Sequence, residues 1–296
     1  MAIFAANPDG LPVMSRPNSA VDPSELDRLR LWLLDDDSVW NQIGFAWRMR
    51  RVWWFTATAR TTARFVRTKL GSLWLGVTNM LTIGALALVY GTVFKVEAFK
   101  EYTVYLGVGL VLWNAIAGAI GSAPRLFEQN RSSLNNINLP PLFYVLEEWA
   151  FQLQTLAQSV FVVLLSLSIL QPSLLINLAT VSLPSLLNFC LFLLWLPLLV
   201  CLAGARFKDF YQLVPVVLQL IFLLSPILYL KSSLGSYAWL AYLNPIYPSI
   251  SNLRDSLISG RLSLLPAFVF FLVNLLGCYI GLLALRREAR ILPFLF

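Results

Sequence analysis

Residues 206–230 read RFKDFYQLVPVVLQLIFLLSPILYL. Three charges, Arg206, Lys208 and Asp209, precede an uncharged run from Phe210 to Leu230. A helix of about 20 residues rises roughly 30 Å, the thickness of a bilayer's hydrocarbon core. The stretch reads as a charged anchor followed by a membrane helix, with Pro215 and Pro226 inside it. Residues 232–262 are too polar and too proline-broken to span. Within them Trp239, Leu240, Leu243, Ile246, Ile250, Leu253 and Leu257 recur at helical spacing, divided by Pro245 and Pro248. That pattern predicts two short helices dipping into the outer leaflet, permitted only where protein or a wet cavity satisfies the backbone.

The rest of the chain agrees. It is 58% hydrophobic and 12% charged, against about 25% charge in an ordinary soluble domain. The apolar runs are too long for the roughly ten-residue strands of a membrane barrel. An all-α membrane protein with six spans is expected: about 72–94, 105–123, 149–170, 174–204, 210–230 and 264–285. Gly76, Gly84, Ala87 and Gly91 fall near one face of the first span, the small-residue pattern of close helix packing. The net charge of +7 lies mostly outside the spans, which fits topology and anionic headgroups better than nucleic acid. With the N-terminus inside, 17 of the 22 Lys and Arg fall on the cytoplasmic side, so both termini are placed there.

Residues 1–37, with Pro8, Pro12, Pro17 and Pro23, read as a flexible cytoplasmic tail without the pattern of a signal peptide. Across 38–70, Trp40, Ile43, Trp47, Trp54 and Phe65 alternate with Arg48, Arg50, Arg51, Arg60, Arg64 and Arg67. That is an amphipathic helix of the membrane interface. Residues 71–290 form the spanning domain and 291–296 a short tail.

Several chemistries are argued against. There is no His, so no histidine metal site or acid–base catalyst. Cys190, Cys201 and Cys278 match no metal or redox spacing and read as packing residues. From Trp149 through Ala205 there is no Asp, Glu, Lys or Arg, unlike ion-coupled transporters and pumps. The polar residues Asn79, Asn114, Gln152, Gln154, Gln158, Asn188, Gln219 and Asn274 are expected to bond between helices. No phosphate-cradling G-x-x-x-x-G-K-[ST] occurs, so energy must come from a partner or the chain is a passive pore. Residues 123–148 carry the candidate docking knob. Glu128 and Arg131 continue a helix out of the membrane, Ser132, Ser133, Asn135 and Asn136 form a short polar segment, and Pro140-Pro141 ends it.

These pieces, in order, resemble the membrane subunits of ABC-2 type exporters, above all those moving lipid-linked polysaccharides such as O-antigen, capsule and teichoic acid. The resemblance covers about 40–290. It rests on RFVRTKLGSLW at 64–74, Asn138-Leu139-Pro140, Arg206-Phe207-Lys208-Asp209, Ser225-Pro226-Ile227, Leu243-Asn244-Pro245 and Arg254-Asp255. It implies a homodimer in the bacterial cytoplasmic membrane, joined to two copies of a separate ATPase that binds ATP and Mg. The chain itself then holds no cofactor and no metal and catalyses nothing. It also implies coupling through the 123–148 helices, a re-entrant pair at 232–262 and a channel between copies lined by the first and fifth spans. Because aromatic faces stack on sugar rings, Tyr90, Phe94, Phe222 and Tyr229 are the candidate channel lining. Tyr237, Tyr242, Asn244 and Pro245 are the candidate periplasmic gate. Two other readings stand beside it: an ABC-2 exporter of a drug or small lipid, and a membrane glycosyltransferase-type enzyme. The latter needs a carboxylate cluster, for which Glu147-Glu148 is the one adjacent glutamate pair.

Overall fold

The structure, a computed structural model, describes residues 39–93, 98–136, 139–229, 244, 246–288 and 292. Every regular element among them is helical. In chain order these are α1 (Val39–Arg48), α2 (Arg50–Ala63), a 3-10 turn at Gly71–Leu73, α3 (Trp74–Val93) and α4 (Phe99–Ser122). A 3-10 turn at Ala123–Arg125 leads into α5 (Leu126–Gln129), followed by α6 (Arg131–Asn136), α7 (Pro141–Leu167) and α8 (Ser173–Ala179). Then come α9 (Leu183–Arg206), α10 (Phe210–Leu224), α11 (Tyr247–Ser259) and α12 (Leu264–Glu288). The tail 1–37 and the first half of the expected re-entrant pair lie outside the described residues.

Among the described residues, five helices are long and apolar enough to cross a bilayer: Gly71–Val93, Phe99–Gln129, Pro141–Leu167, Leu183–Arg206 and Leu264–Glu288. The expected fifth span differs. It stops at Leu224, because Ser225 precedes a proline and is extended, with ψ 137°. A residue before proline is driven from the helical to the extended region. The expected fourth span also divides, at residues 180–182, into α8 and α9. Pro184 then sits in the first turn of α9, where its missing N–H leaves no bond unmade. The expected interface helix is two helices separated at Met49, and it ends at Ala63.

Helix α4 is the hub. Leu106, Val108, Ile116 and Ala119 on its several faces are all buried, joining a core with Val163 and Leu167 of α7, Phe189 and Leu193 of α9, and Ile250 and Leu253 of α11. In contrast, α3 buries only the stripe Gly76, Ile83 and Ala87, and α10 only Val214 and Leu218. Both leave leucines and valines exposed, among them Leu81, Leu88, Leu220 and Leu223. Of the small residues expected to bring α3 close to a neighbour, Gly76 does so. A Cβ there would lie 2.2 Å from Val162 Cβ, whereas Gly84 has nothing within 4 Å.

Apolar side chains gain nothing by leaving lipid, so spans associate through tight packing and interhelical hydrogen bonds. Helices α9 and α12 use both. Gly277 lets Trp195 approach so closely that a Cβ would come within 2.4 Å of the indole. Trp195 Nε1 donates to Asn274 Oδ1 at 2.9 Å, Asn274 Nδ2 to the Asn188 carbonyl at 3.0 Å, and Asn188 Nδ2 to the Ala267 carbonyl at 3.0 Å. At the far end Arg206 meets Glu288 at 2.9 Å. The same logic docks α2 on α7. Trp53, Ala57 and Thr61, four apart, are buried. Gln154 of α7 donates to Thr58 Oγ1 at 3.0 Å and accepts from Thr61 Oγ1 at 3.2 Å. Trp47, Trp54 and Phe55 of α1 and α2 remain exposed beside the arginines.

Candidate functional site

Two polar clusters sit towards opposite ends of α4, and each buries an ionisable side chain. The first surrounds Glu148 in the second turn of α7, only 6% exposed. Ser122 Oγ donates to Glu148 Oε1 at 2.9 Å and Gln152 Nε2 donates to the same oxygen at 2.8 Å. Arg60 of α2 brings Nη2 to 2.7 Å from Oε2, a close contact of charges whose N–H is not aimed at that oxygen. The guanidinium also lies 4.2 Å from the centre of the Phe151 ring. These groups line a cavity of about 350 Å³ between α2, α3, α4 and α7, shared with Arg64, Asn79, Asn114 and Ser159. Asn114 Nδ2 donates to Asn79 Oδ1 at 2.6 Å and joins α4 to α3.

The second cluster holds the broken end of α10. Once the helix stops at Leu224, carbonyls beyond it need donors, since an unmet backbone group is costly away from water. The Pro226 carbonyl accepts from Tyr105 Oη and from Arg254 Nη1, each at 3.0 Å. The Leu228 carbonyl accepts from Tyr102 Oη at 2.7 Å. Asn244 Nδ2 donates to Ser225 Oγ, and Asn244 Oδ1 accepts from the Ile246 N–H at 2.9 Å. Arg254 is 1% exposed, with its guanidinium 3.8 Å from the centre of the Tyr105 ring. Its acidic neighbour Asp255 is 63% exposed and reaches Nε at a long 3.4 Å. The buried cation is thus held mainly by a carbonyl and an aromatic face. Ser225-Pro226, Asn244 and Arg254-Asp255, far apart in the chain, meet here.

The residues singled out in the sequence fall as follows. Glu128, Arg131 and Ser132 are exposed and Ser133 half-buried, on α5 and α6. Asn135 and Asn136 close α6, and their side chains lie outside the described residues. This connection touches α10 where Arg125 lies 5.3 Å over the Tyr211 ring. Tyr90 and Phe222 are half-buried and pack on the main core. Phe222 stands 5.3 Å from Trp113. Tyr229 Oη donates to the Leu224 carbonyl at 3.1 Å. Asn244 is a clamp for the helix break. Phe94, Tyr237, Tyr242 and Pro245 lie outside the described residues.

Two ionisable side chains outside the uncharged stretch 149–205, Glu148 and Arg254, are buried. Glu148 finds its basic partner far away in sequence, because α2 supplies Arg60 from much earlier in the chain. Sequence reasoning also missed Tyr102, Tyr105 and Ser122. The signal for the tyrosines was the Ser225-Pro226 break itself, which leaves carbonyls that some donor must meet.

Over residues 53–258 the sequence matches a protein family described as ABC-2 type transporter. That span takes in both clusters. No curated protein matches the sequence.

Proposed function

The chain belongs to the ABC-2 type transporter family, the membrane permeases that work with ABC ATPase subunits, and from that premise we propose that its cargo is a lipid-linked polysaccharide. The polymer would be of the O-antigen, capsule or teichoic-acid kind, carried out across the cytoplasmic membrane. In this reading the chain acts as a homodimer with two separate ATPases that bind ATP and Mg, and it brings no cofactor of its own. Both termini are cytoplasmic, α1 and α2 lie in the headgroup region, and α11 is the second of two re-entrant helices. Residues Glu128 to Asn136 take the push of ATPase closure. Asn244 and Arg254 belong to the outer gate, where they hold the broken end of α10.

The observation that carries the cargo reading is the cavity beside Glu148. Its volume of about 350 Å³ is within the roughly 300–1,000 Å³ of small-ligand sites. Arg60 is balanced by Glu148, which leaves Arg64 as the cavity's excess cation for an anionic phosphate. Asn79, Asn114, Gln152 and Ser159 supply the amides and hydroxyl that sugar hydroxyls require. A phosphosugar headgroup matches that lining, whereas a purely apolar drug does not. Against the glycosyltransferase reading, Glu148 is engaged by Arg60, Ser122 and Gln152, and the family match is to a transporter.

The test is deletion of the gene, followed by complementation with the unaltered chain and with Arg64→Glu/Asn114→Leu. We expect deletion to abolish surface polysaccharide and to leave lipid-linked polymer inside. The double variant should assemble with the ATPase yet restore less than about a tenth of export, as loss of a charge-assisted contact implies. Normal surface polysaccharide in the deletion strain, with another lipid or a drug retained, would replace this cargo with the small-molecule one.

A further inference from the structure

A larger recess of about 680 Å³ opens between α11, the link 261–263 and the first turns of α12, floored by α9. The floor is aromatic. Phe192 stands edge-on to Trp195 at 5.7 Å and tilted to Phe270 at 5.9 Å. Trp195 has already given its N–H to Asn274, so it offers the recess only ring surface. Val269 of α12, half exposed, continues the apolar wall.

The lip carries two opposite charges, Asp255 and Arg261. Their nearness is built into the end of α11. Gly260 turns the chain in the left-handed region at φ 63°, where residues with a Cβ are disfavoured. Ser259 Oγ donates to the Asp255 carbonyl at 2.6 Å and accepts from the Arg261 N–H at 3.2 Å. None of the three ion pairs among the described residues uses Arg261. Among the described residues the Asp255 carboxylate makes one polar contact, at 3.4 Å, to an arginine already bound to Pro226 and Tyr105. An apolar slot thus ends in an acid and a base that are both open to a ligand.

We propose that this groove holds one zwitterionic phospholipid with a primary ammonium, of the phosphatidylethanolamine type. An acyl chain lies on the aromatic floor, the phosphate meets Arg261 and the ammonium meets Asp255. The two lips match the two charges of that headgroup. A trimethylammonium headgroup has no N–H to give Asp255, and an anionic headgroup brings no cation to it. The site is independent of the exported cargo.

The experiment uses the full chain in phosphatidylcholine nanodiscs doped with phosphatidylethanolamine carrying a photoreactive acyl chain. Crosslinked peptides are mapped by mass spectrometry. We expect label on the peptide containing Val269 and Phe270. Unlabelled phosphatidylethanolamine should compete, and phosphatidylcholine and phosphatidylglycerol should not. Arg261→Glu should lower labelling about tenfold, the scale of one lost charge-assisted bond. Equal competition by all three lipids means an annular lipid only and overturns the site. No label at this peptide also overturns it. Should Arg261→Glu fail to fold, headgroup competition on the unaltered chain decides alone.

Discussion

Glu148 and Arg254 are nearly sealed from solvent, 6% and 1% exposed, yet they are accommodated in different ways. Glu148 has a true counter-charge, two neutral donors and a cavity beside it. Arg254 has a carbonyl, an aromatic face and an exposed, distant acid. A charge next to a cavity can exchange partners with a ligand. A charge whose donors replace a helix's missing backbone bonds holds a shape. On this contrast we propose that the Glu148 end of α4 binds ligand and that the Arg254 end serves mechanical closure.

The largest effect is expected at Arg254. Arg254→Ala removes a fully buried side chain and one of two donors to Pro226, and should destabilise the protein by about 3 kcal/mol. Arg254→Met fills most of the volume, and replacing a buried ion by an apolar side chain can be almost neutral. We expect Met to cost about 1 kcal/mol in mixed-micelle unfolding while transport still fails, because the break in α10 loses its one charged donor and keeps only the neutral ones. Normal transport by the Met variant would reduce Arg254 to packing and remove the contrast with Glu148.

The ion pair at the other end should respond asymmetrically. Arg60→Ala leaves the Glu148 carboxylate buried without a counter-charge, a loss of about 3 kcal/mol. Glu148→Gln keeps an oxygen for Ser122 and Gln152. It frees an Arg60 whose side chain is 39% exposed and can turn to water, so its cost should be about 1 kcal/mol or less. The double variant Arg60→Ala/Glu148→Gln should recover most of the first loss, and a thermodynamic cycle measures the coupling. Equal costs for the two single variants would mean that the carboxylate is neutral or hydrated in place.

Much of this was legible in the chain and some was not. The spans showed themselves as long uncharged runs, and Asn188 and Asn274 behave as interhelical donors, as polar residues in such runs should. Proline marked the end of α10, but hydropathy read through it to Leu230 because apolar residues continue past the break. The fourth span was overrun for the same reason: nothing in residues 180–182 is charged. The two clusters were illegible as clusters. Arg60 and Glu148, or Tyr105 and Arg254, meet only because α2 lies on α7 and α11 lies on α4, and local spacing does not encode such crossings. Family resemblance brought Ser225, Asn244 and Arg254 to attention singly; geometry shows that they share one helix break.

The smallest expected effect concerns Phe222, where packing and channel readings compete. Its ring meets Trp113 at 5.3 Å with the planes 35° apart, and an aromatic pair of this kind contributes about 0.5–1.5 kcal/mol beyond area burial. Part of the ring stays exposed on α10, a helix whose open face carries Leu220 and Leu223. If that face borders the path of a glycan, the requirement is for a flat ring, because a sugar's C–H face stacks on it and slides. Phe222→Leu should then cost about 1 kcal/mol of stability and slow export, while Phe222→Tyr restores export. Tyr90→Ala, on the equally open α3, should add to the export defect of Phe222→Leu. Packing alone makes a different forecast: Leu and Tyr would both export normally once stability is matched by lowering the temperature. Surface polysaccharide measured at two temperatures in these variants separates the two.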